Sequence, residues 1–256
     1  MKNSYIAVFD SGVGGLHILE TLVKDFKNEN FIYLADEEFF PYGIKTKEEL
    51  ENRMTLITKK LSSMDVKAII IACNTASANS HHCKEFIKTP IIEIITATAN
   101  YAKKITKNNK IGVWATDATI NSNKYQEALS DIKMCYPVKA SDLVVLIENN
   151  LINETVPLVN KHLKEIFDAD SLILGCTHFP LLSDVIKNIN KDLNLISSNE
   201  PVTSALKEYL GQNNLNNSLN STQIIDLYTT KINGELEQKA KRFNINVNKV
   251  EYLEIK

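Results

Sequence analysis

Two cysteines stand in matching contexts in this 256-residue chain. Cys73 opens Cys73-Asn74-Thr75-Ala76 after the apolar run Ala68-Ile69-Ile70-Ile71-Ala72, and Cys176 opens Cys176-Thr177-His178 after Ser171-Leu172-Ile173-Leu174-Gly175. A thiol at the end of a strand and the start of a helix meets free backbone amides and the positive end of the helix dipole, which favour thiolate relative to the ordinary pKa of about 8.5. Taken singly, such a cysteine reads as a small buried hydrophobe. Two in the same setting, each followed by hydrogen-bonding side chains, read as a pair of acid–base groups. Cys83, in a helical stretch, and Cys135, beside Tyr136-Pro137, lack that setting and are expected to be structural. No Cys-x-x-Cys spacing offers a zinc site and four dispersed thiols do not make a disulfide scaffold, so free thiols and no metal are expected.

The remaining candidates surround these two. Of eight glycines, Gly12, Gly14, Gly15, Gly43 and Gly175 fall in loops beside the candidate site. Asp10-Ser11-Gly12-Val13-Gly14-Gly15 leads from an apolar strand into a helical pattern, and a helix start after a glycine loop attracts an anion such as a substrate carboxylate. A tight turn demanded by strand–helix packing is the equal alternative, and the spacing fits neither a Walker loop nor a dinucleotide fingerprint. His178 either orients the neighbouring thiol or donates to a substrate carboxylate. His81 and His82 are expected on a helix surface, and His17 and His162 toward solvent. Asp10 and Glu148 are candidate acids behind the two halves, against the alternative of isolated, solvated carboxylates.

These residues need strands and helices to deliver them. Runs at 6–9, 31–34, 68–72, 90–95, 111–114 and 171–175 read as strands, and Leu16, Leu19, Leu22, Val23 and Phe26 recur at helical spacing. Thr46 and Glu49 are spaced as a capping box before Leu50, Met54, Ile57 and Leu61, and further helical patterns cover 141–150 and 154–167. Strands apolar on both faces that alternate with helices predict an α/β chain with mainly parallel sheets. Cys176 follows Cys73 by 103 residues and Thr116 follows Ser11 by 105, which predicts two pseudo-symmetric α/β domains with the site in the cleft between them. The first is expected over 1–96 plus about 210–256 and the second over 97–209, with 211–221 a polar surface loop. Strand-like segments at 224–228 and 247–250, with an amphipathic stretch between, complete a domain begun earlier.

Composition narrows the class. With 44% hydrophobic and 23% charged residues the chain is an ordinary globular protein, and a net charge of −2 with scattered lysines gives no footprint for nucleic acid. No apolar run reaches membrane length, and Asp10 interrupts the start too early for a secretory signal, so a cytoplasmic protein with no membrane partner is expected.

Asp10-Ser11-Gly12-Val13-Gly14-Gly15, Pro41-Tyr42-Gly43, Cys73-Asn74-Thr75-Ala76-Ser77-Ala78 and Gly175-Cys176-Thr177-His178-Phe179-Pro180-Leu181-Leu182, in this order and spacing over most of the chain, resemble the bacterial glutamate racemases of the aspartate/glutamate racemase family. The resemblance implies two α/β domains, no cofactor, and interconversion of L- and D-glutamate by a two-cysteine, two-base mechanism. It also implies D-glutamate supply for cell-wall peptidoglycan, a homodimer, and a C-terminal segment that returns to the first domain. Carried over by position, Cys73 and Cys176 are the proton donor and acceptor. Asp10, Ser11, Tyr42, Gly43, Asn74, Thr75, Thr177 and His178 line the glutamate site, and Thr116 and Thr119 match the second-domain threonines. The sequence departs from the family where Ala35 and Ala115 replace glycine, where Ile95-Thr96-Ala97 replaces a Glu-Pro segment, and at Ser197-Ser198-Asn199. These departures leave the reaction intact and bear on substrate preference and regulation. Three alternatives stay open on sequence: racemisation of aspartate or a cyclic amide, a non-catalytic carboxylate-binding protein, and a thiol redox or metal protein built on Cys176 and His178.

Overall fold

Apolar runs bounded by glycine, proline and polar residues set the strands of this chain, and a computed structural model describes residues 4–217, 222–232 and 236–256. The strands are β1 (Tyr5–Asp10), β2 (Asn30–Ala35), β3 (Val66–Ile71), β4 (Ile91–Glu93), β5 (Lys110–Ala115), β6 (Met134–Lys139), β7 (Ser171–Gly175), β8 (Asn194–Ile196), β9 (Ile225–Thr229) and β10 (Lys249–Tyr252). The helices in the first half are α1 (Leu16–Asp25), α2 (Lys47–Ser62), α3 (Asn74–Ala78), α4 (Ile94–Ile105), α5 (Asp117–Asn121) and α6 (Lys124–Ala128). Those in the second half are α7 (Ser141–Glu148), α8 (Val156–Glu165), α9 (Ser183–Ile189), α10 (Asn199–Gln212) and α11 (Leu236–Lys241). No described helix is long and apolar enough to cross a membrane.

The strands form two parallel sheets, ordered β10-β9-β2-β1-β3-β4 and β6-β5-β7-β8. Stripped of β9 and β10, the first sheet repeats the order of the second, with β1 matching β5 and β3 matching β7. The offsets of 103 and 105 residues seen in the sequence are this repeat. Because the strands are parallel, both faces of each sheet are covered and the strand residues are apolar on both sides. Ile6 and Val8 pack against Leu16, Leu19 and Leu22 of α1, whereas Ala7 and Phe9 pack against Leu50, Met54, Ile57 and Leu61 of α2. The capping box is formed: the Glu49 amide donates to Thr46 Oγ1 at 3.2 Å and the Thr46 amide to Glu49 Oε2 at 2.8 Å.

Several local expectations change. The apolar run at 90–95 divides, because Ile94 and Ile95 leave the short β4 and start α4 with both side chains buried. β6, not expected from the sequence, carries Pro137 on a sheet edge, where the missing amide costs no ladder bond. Val202, Leu206 and Leu210 of α10 lie in the core of the first sheet. In the polar stretch expected as a surface loop, 211–212 end α10 and Asn217 is buried beside Lys67, while residues 218–221 lie outside those described. His162, expected toward solvent, is buried: its helix face turns onto the second sheet, its ring meets Trp114 edge-on, and Asp142 and Glu165 partner its two nitrogens at 3.0 Å each.

Candidate active site

In an open parallel sheet the loops at the carboxyl ends of the central strands build the site, and here both sheets direct those ends at one another. β3 delivers Cys73, which caps α3 with its sulfur accepting from the Ala76 amide at 3.4 Å. β7 delivers Cys176 into the turn that precedes Phe179–Leu182. One thiol from each unit lines a cavity of about 150 Å³, together with Ser11, Tyr42, Gly43, Asn74, Thr75, Thr116, Thr177 and His178.

The two thiols have different neighbours. Burial pushes Cys73 up to about 12, the charge of Asp10 adds to this, and the Ser11 hydroxyl and the Ala76 amide oppose it. The helix start expected to favour a thiolate is only five residues long and is outweighed by desolvation. Asp10 is fully buried and holds the glycine loop by accepting from the Gly12 amide at 3.1 Å. Its carboxyl is also raised by burial, against the opposing charge of His178 and the amides of Gly15, Gly12 and Ser11. On the other side, Cys176 Sγ lies 3.5 Å from His178 Nδ1, and His178 Nε2 is ion-paired with Glu148. Burial works against a charged His178, but the bonds to Cys176 and Glu148 prevail and hold it well above the ordinary histidine range. A ring with a partner for both nitrogens is arranged as an imidazolium donating to both.

Hydroxyls knit the units beside the thiols. Thr75 Oγ1 lies 2.9 Å from Thr116 Oγ1 and 3.1 Å from Thr119 Oγ1, and the latter two are 2.9 Å apart. Tyr42 enters from the loop after β2; its phenol donates to Asp36 at 2.5 Å, and Arg53 clamps the same carboxylate at 2.8 and 2.6 Å. No described glycine has positive φ, so the glycine loop serves proximity instead of unusual backbone torsion. A Cβ on Gly14 would sit 2.5 Å from Thr177 Oγ1, which makes this the point where the first unit's loop touches the second unit.

Of the residues expected from sequence, Asp10 and Thr119 stand behind the cavity wall and Glu148 behind His178. Gly12, Gly14 and Gly15 of the glycine loop, expected to meet a substrate carboxylate, do not line it either, whereas the rest line the cavity itself. Sequence reasoning missed Ser141, Val144 and Val145 at the start of α7, and Phe40 and Ile44 on either side of Tyr42. Val144 and Val145 lay inside a helical pattern, and nothing in that pattern says which face meets a cleft. Asp36 and Arg53 were missed as well. The departures Ala35, Ala115, Thr96 and Ser198 do not line this cavity.

A doubled parallel α/β unit that brings a thiol from each half to one small cavity is the layout of enzymes that move a proton across a small substrate. The chain belongs to the Asp/Glu/Hydantoin racemase family, whose pattern matches residues 11–205. A glutamate racemase from Hydrogenobaculum sp. (strain Y04AAS1) is 38% identical over 234 residues, 89% of this chain and 88% of the relative. The crystal structure of a glutamate racemase isoform from Bacillus anthracis superposes with a TM-score of 0.90 at 32% identity, over 100% of this chain and 99% of that one. The glutamate racemase from Francisella tularensis subsp. tularensis SCHU S4, crystallised in complex with D-glutamate, gives 0.89 at 32% identity with the same coverage.

Proposed function

We propose that this chain interconverts L- and D-glutamate by direct proton transfer between Cys73 and Cys176, with no cofactor in the reaction. The observation that carries this reading is the pair of thiols, one from each half of the repeat, on a single small cavity. The choice of glutamate rests on the relatives' activity and on the D-glutamate held by the Francisella neighbour.

The chemistry follows from the geometry. One cysteine, as thiolate, takes the α-proton from one face of the substrate, and the other, as thiol, returns a proton to the opposite face. The carbon–hydrogen bond breaks on one side and forms on the other, and the two sulfurs finish with their protonation states exchanged. Cys73, pushed up to about 12 by burial, rests as the thiol partner. His178, held cationic, balances negative charge on Cys176. The α-proton is weakly acidic, so fixed donors must meet the charge that develops on the carbanion and its carboxylate. Ser11, Asn74, Thr75, Thr116 and Thr177 supply such donors from both units, with Thr119 holding the threonine pair. Tyr42 and Gly43 complete the lining, with Gly43 set against Thr116.

We further propose that the protein works in the cytoplasm, where it supplies D-glutamate for peptidoglycan, and that it is a homodimer, which would sediment at twice the chain mass. The direct test is circular dichroism of purified protein incubated separately with L- and D-glutamate and no added cofactor. Decay of both signals to zero supports the reading; a stable signal from either enantiomer would end it.

A further inference from the structure

Tyr125 lies outside the cavity, yet it touches the elements that carry both thiols. It sits in the short helix α6 of the second unit and is completely buried. Its phenol donates to Asn74 Oδ1 at 2.6 Å across the unit boundary, next to Cys73 in sequence. Its ring edge lies 3.2 Å from where a side chain on Gly175 would begin, one residue before Cys176. Gly175 therefore has to be glycine in part to admit this ring.

An amide side chain has an acceptor arm and a donor arm, and a bond to one arm decides where the other points. With the oxygen of Asn74 engaged on Tyr125, the NH2 group is left for the cleft that Asn74 lines. We propose that Tyr125 is a positioning residue: by holding Asn74 Oδ1 it fixes the amide with its NH2 toward the substrate, where carboxylate oxygens gain negative charge as the α-proton leaves. This role rests on the racemase reading given above. Burial raises the phenol's pKa, so it stays a donor throughout the working range. An inverted amide would present an oxygen to the same charge and repel it.

The test is a double-mutant cycle on glutamate racemisation with Tyr125→Phe, Asn74→Ala and the pair. Phenylalanine keeps the ring against Gly175 and removes only the hydroxyl. Tyr125→Phe is expected to lower kcat about tenfold, and Asn74→Ala about a hundredfold. In the Asn74→Ala background, Tyr125→Phe should cost nothing further, because the residue it positions is gone. The same loss in both backgrounds would assign Tyr125 a merely structural role, and no loss in either would remove the proposal. Asn74→Asp gives an independent check that does not depend on how Tyr125→Phe folds. It keeps an oxygen for the phenol but replaces NH2 by a second oxygen, and should lose at least as much activity as Asn74→Ala. Near-normal turnover by Asn74→Asp would overturn the orientation. Failure of the unaltered protein to racemise glutamate is a separate result, and it would defeat the parent reading and this role together.

Discussion

In the proposed mechanism, His178 and Glu148 set the surroundings of Cys176 apart from those of Cys73. Glu148 is held below its ordinary range, chiefly by its hydrogen bond to His178, and in return it keeps the imidazole charged next to Cys176. Replacing Glu148 by Gln removes that support. In Glu148→Gln, kcat is expected to fall about tenfold and the alkaline limb of the pH–rate profile to move to lower pH, because His178 then loses its proton sooner. The sign for stability is the same. A pKa raised in the folded state contributes stability that is complete below the unfolded value of about 6.5 and is lost as pH rises through the raised one. The melting-temperature gap between the unaltered protein and His178→Asn should therefore be widest below about pH 6.5 and narrow as the pH is raised above it. Both cysteines and His178 were legible as candidates in the sequence, because motif and strand-end position are local properties, whereas Glu148 had only its place on a helix to set against the reading of a solvated carboxylate. The Glu148–His178 contact was not, since it depends on how the end of α7 packs beside the turn after β7 within the second unit, and the high pKa of Cys73 was not, since its burial depends on the fold around it. Arg53 looked like one more charge on an amphipathic helix, and only the fold shows it clamped on Asp36 beneath Tyr42.

The glycine loop and the short helices belong to the next scale. Gly14 meets Thr177 so closely that a methyl group there would have to displace the second unit's turn. Gly14→Ala is predicted to leave the fold intact and cut kcat/KM on the order of a hundredfold, through misplacement of the cleft walls by a fraction of an ångström to about 1 Å. Thr46→Ala, by contrast, removes the capping box of α2 and should lower unfolding free energy by about 1 kcal/mol in urea titration. Strands with long apolar runs, the capping box of α2 and the periodic faces of α1, α7 and α8 were legible in advance. β6 and β8 were not, since one contains proline and the other has three residues. α4 was hidden because its first two residues continue an apolar run that begins as strand.

Across the whole molecule, the repeat in the sheets creates the cleft, and the chain's return to the first sheet fixes the unit that carries Cys73. We propose that the two units divide near the start of α10, whose apolar face lies in the first core. A buried cluster secures the segment after that helix: Lys67 Nζ pairs with Glu29 at 2.5 Å and donates to the Leu215 carbonyl at 2.7 Å and to Asn217 at 2.8 Å. Glu29→Ala would strand a buried ammonium, and a loss of about 3–5 kcal/mol is expected in equilibrium unfolding. The duplicated layout was legible from two spacings, but the facing of the halves was an inference until the cavity placed both sulfurs on one wall-to-wall space. One thiol for each face of the substrate gives a distinct pattern of α-proton exchange in heavy water with Cys73→Ser and Cys176→Ser. Each variant is predicted to wash out the α-proton of one glutamate enantiomer only, with opposite preference, while racemisation is lost in both. Equal exchange of both enantiomers by either variant, or full racemisation by one of them, would contradict it.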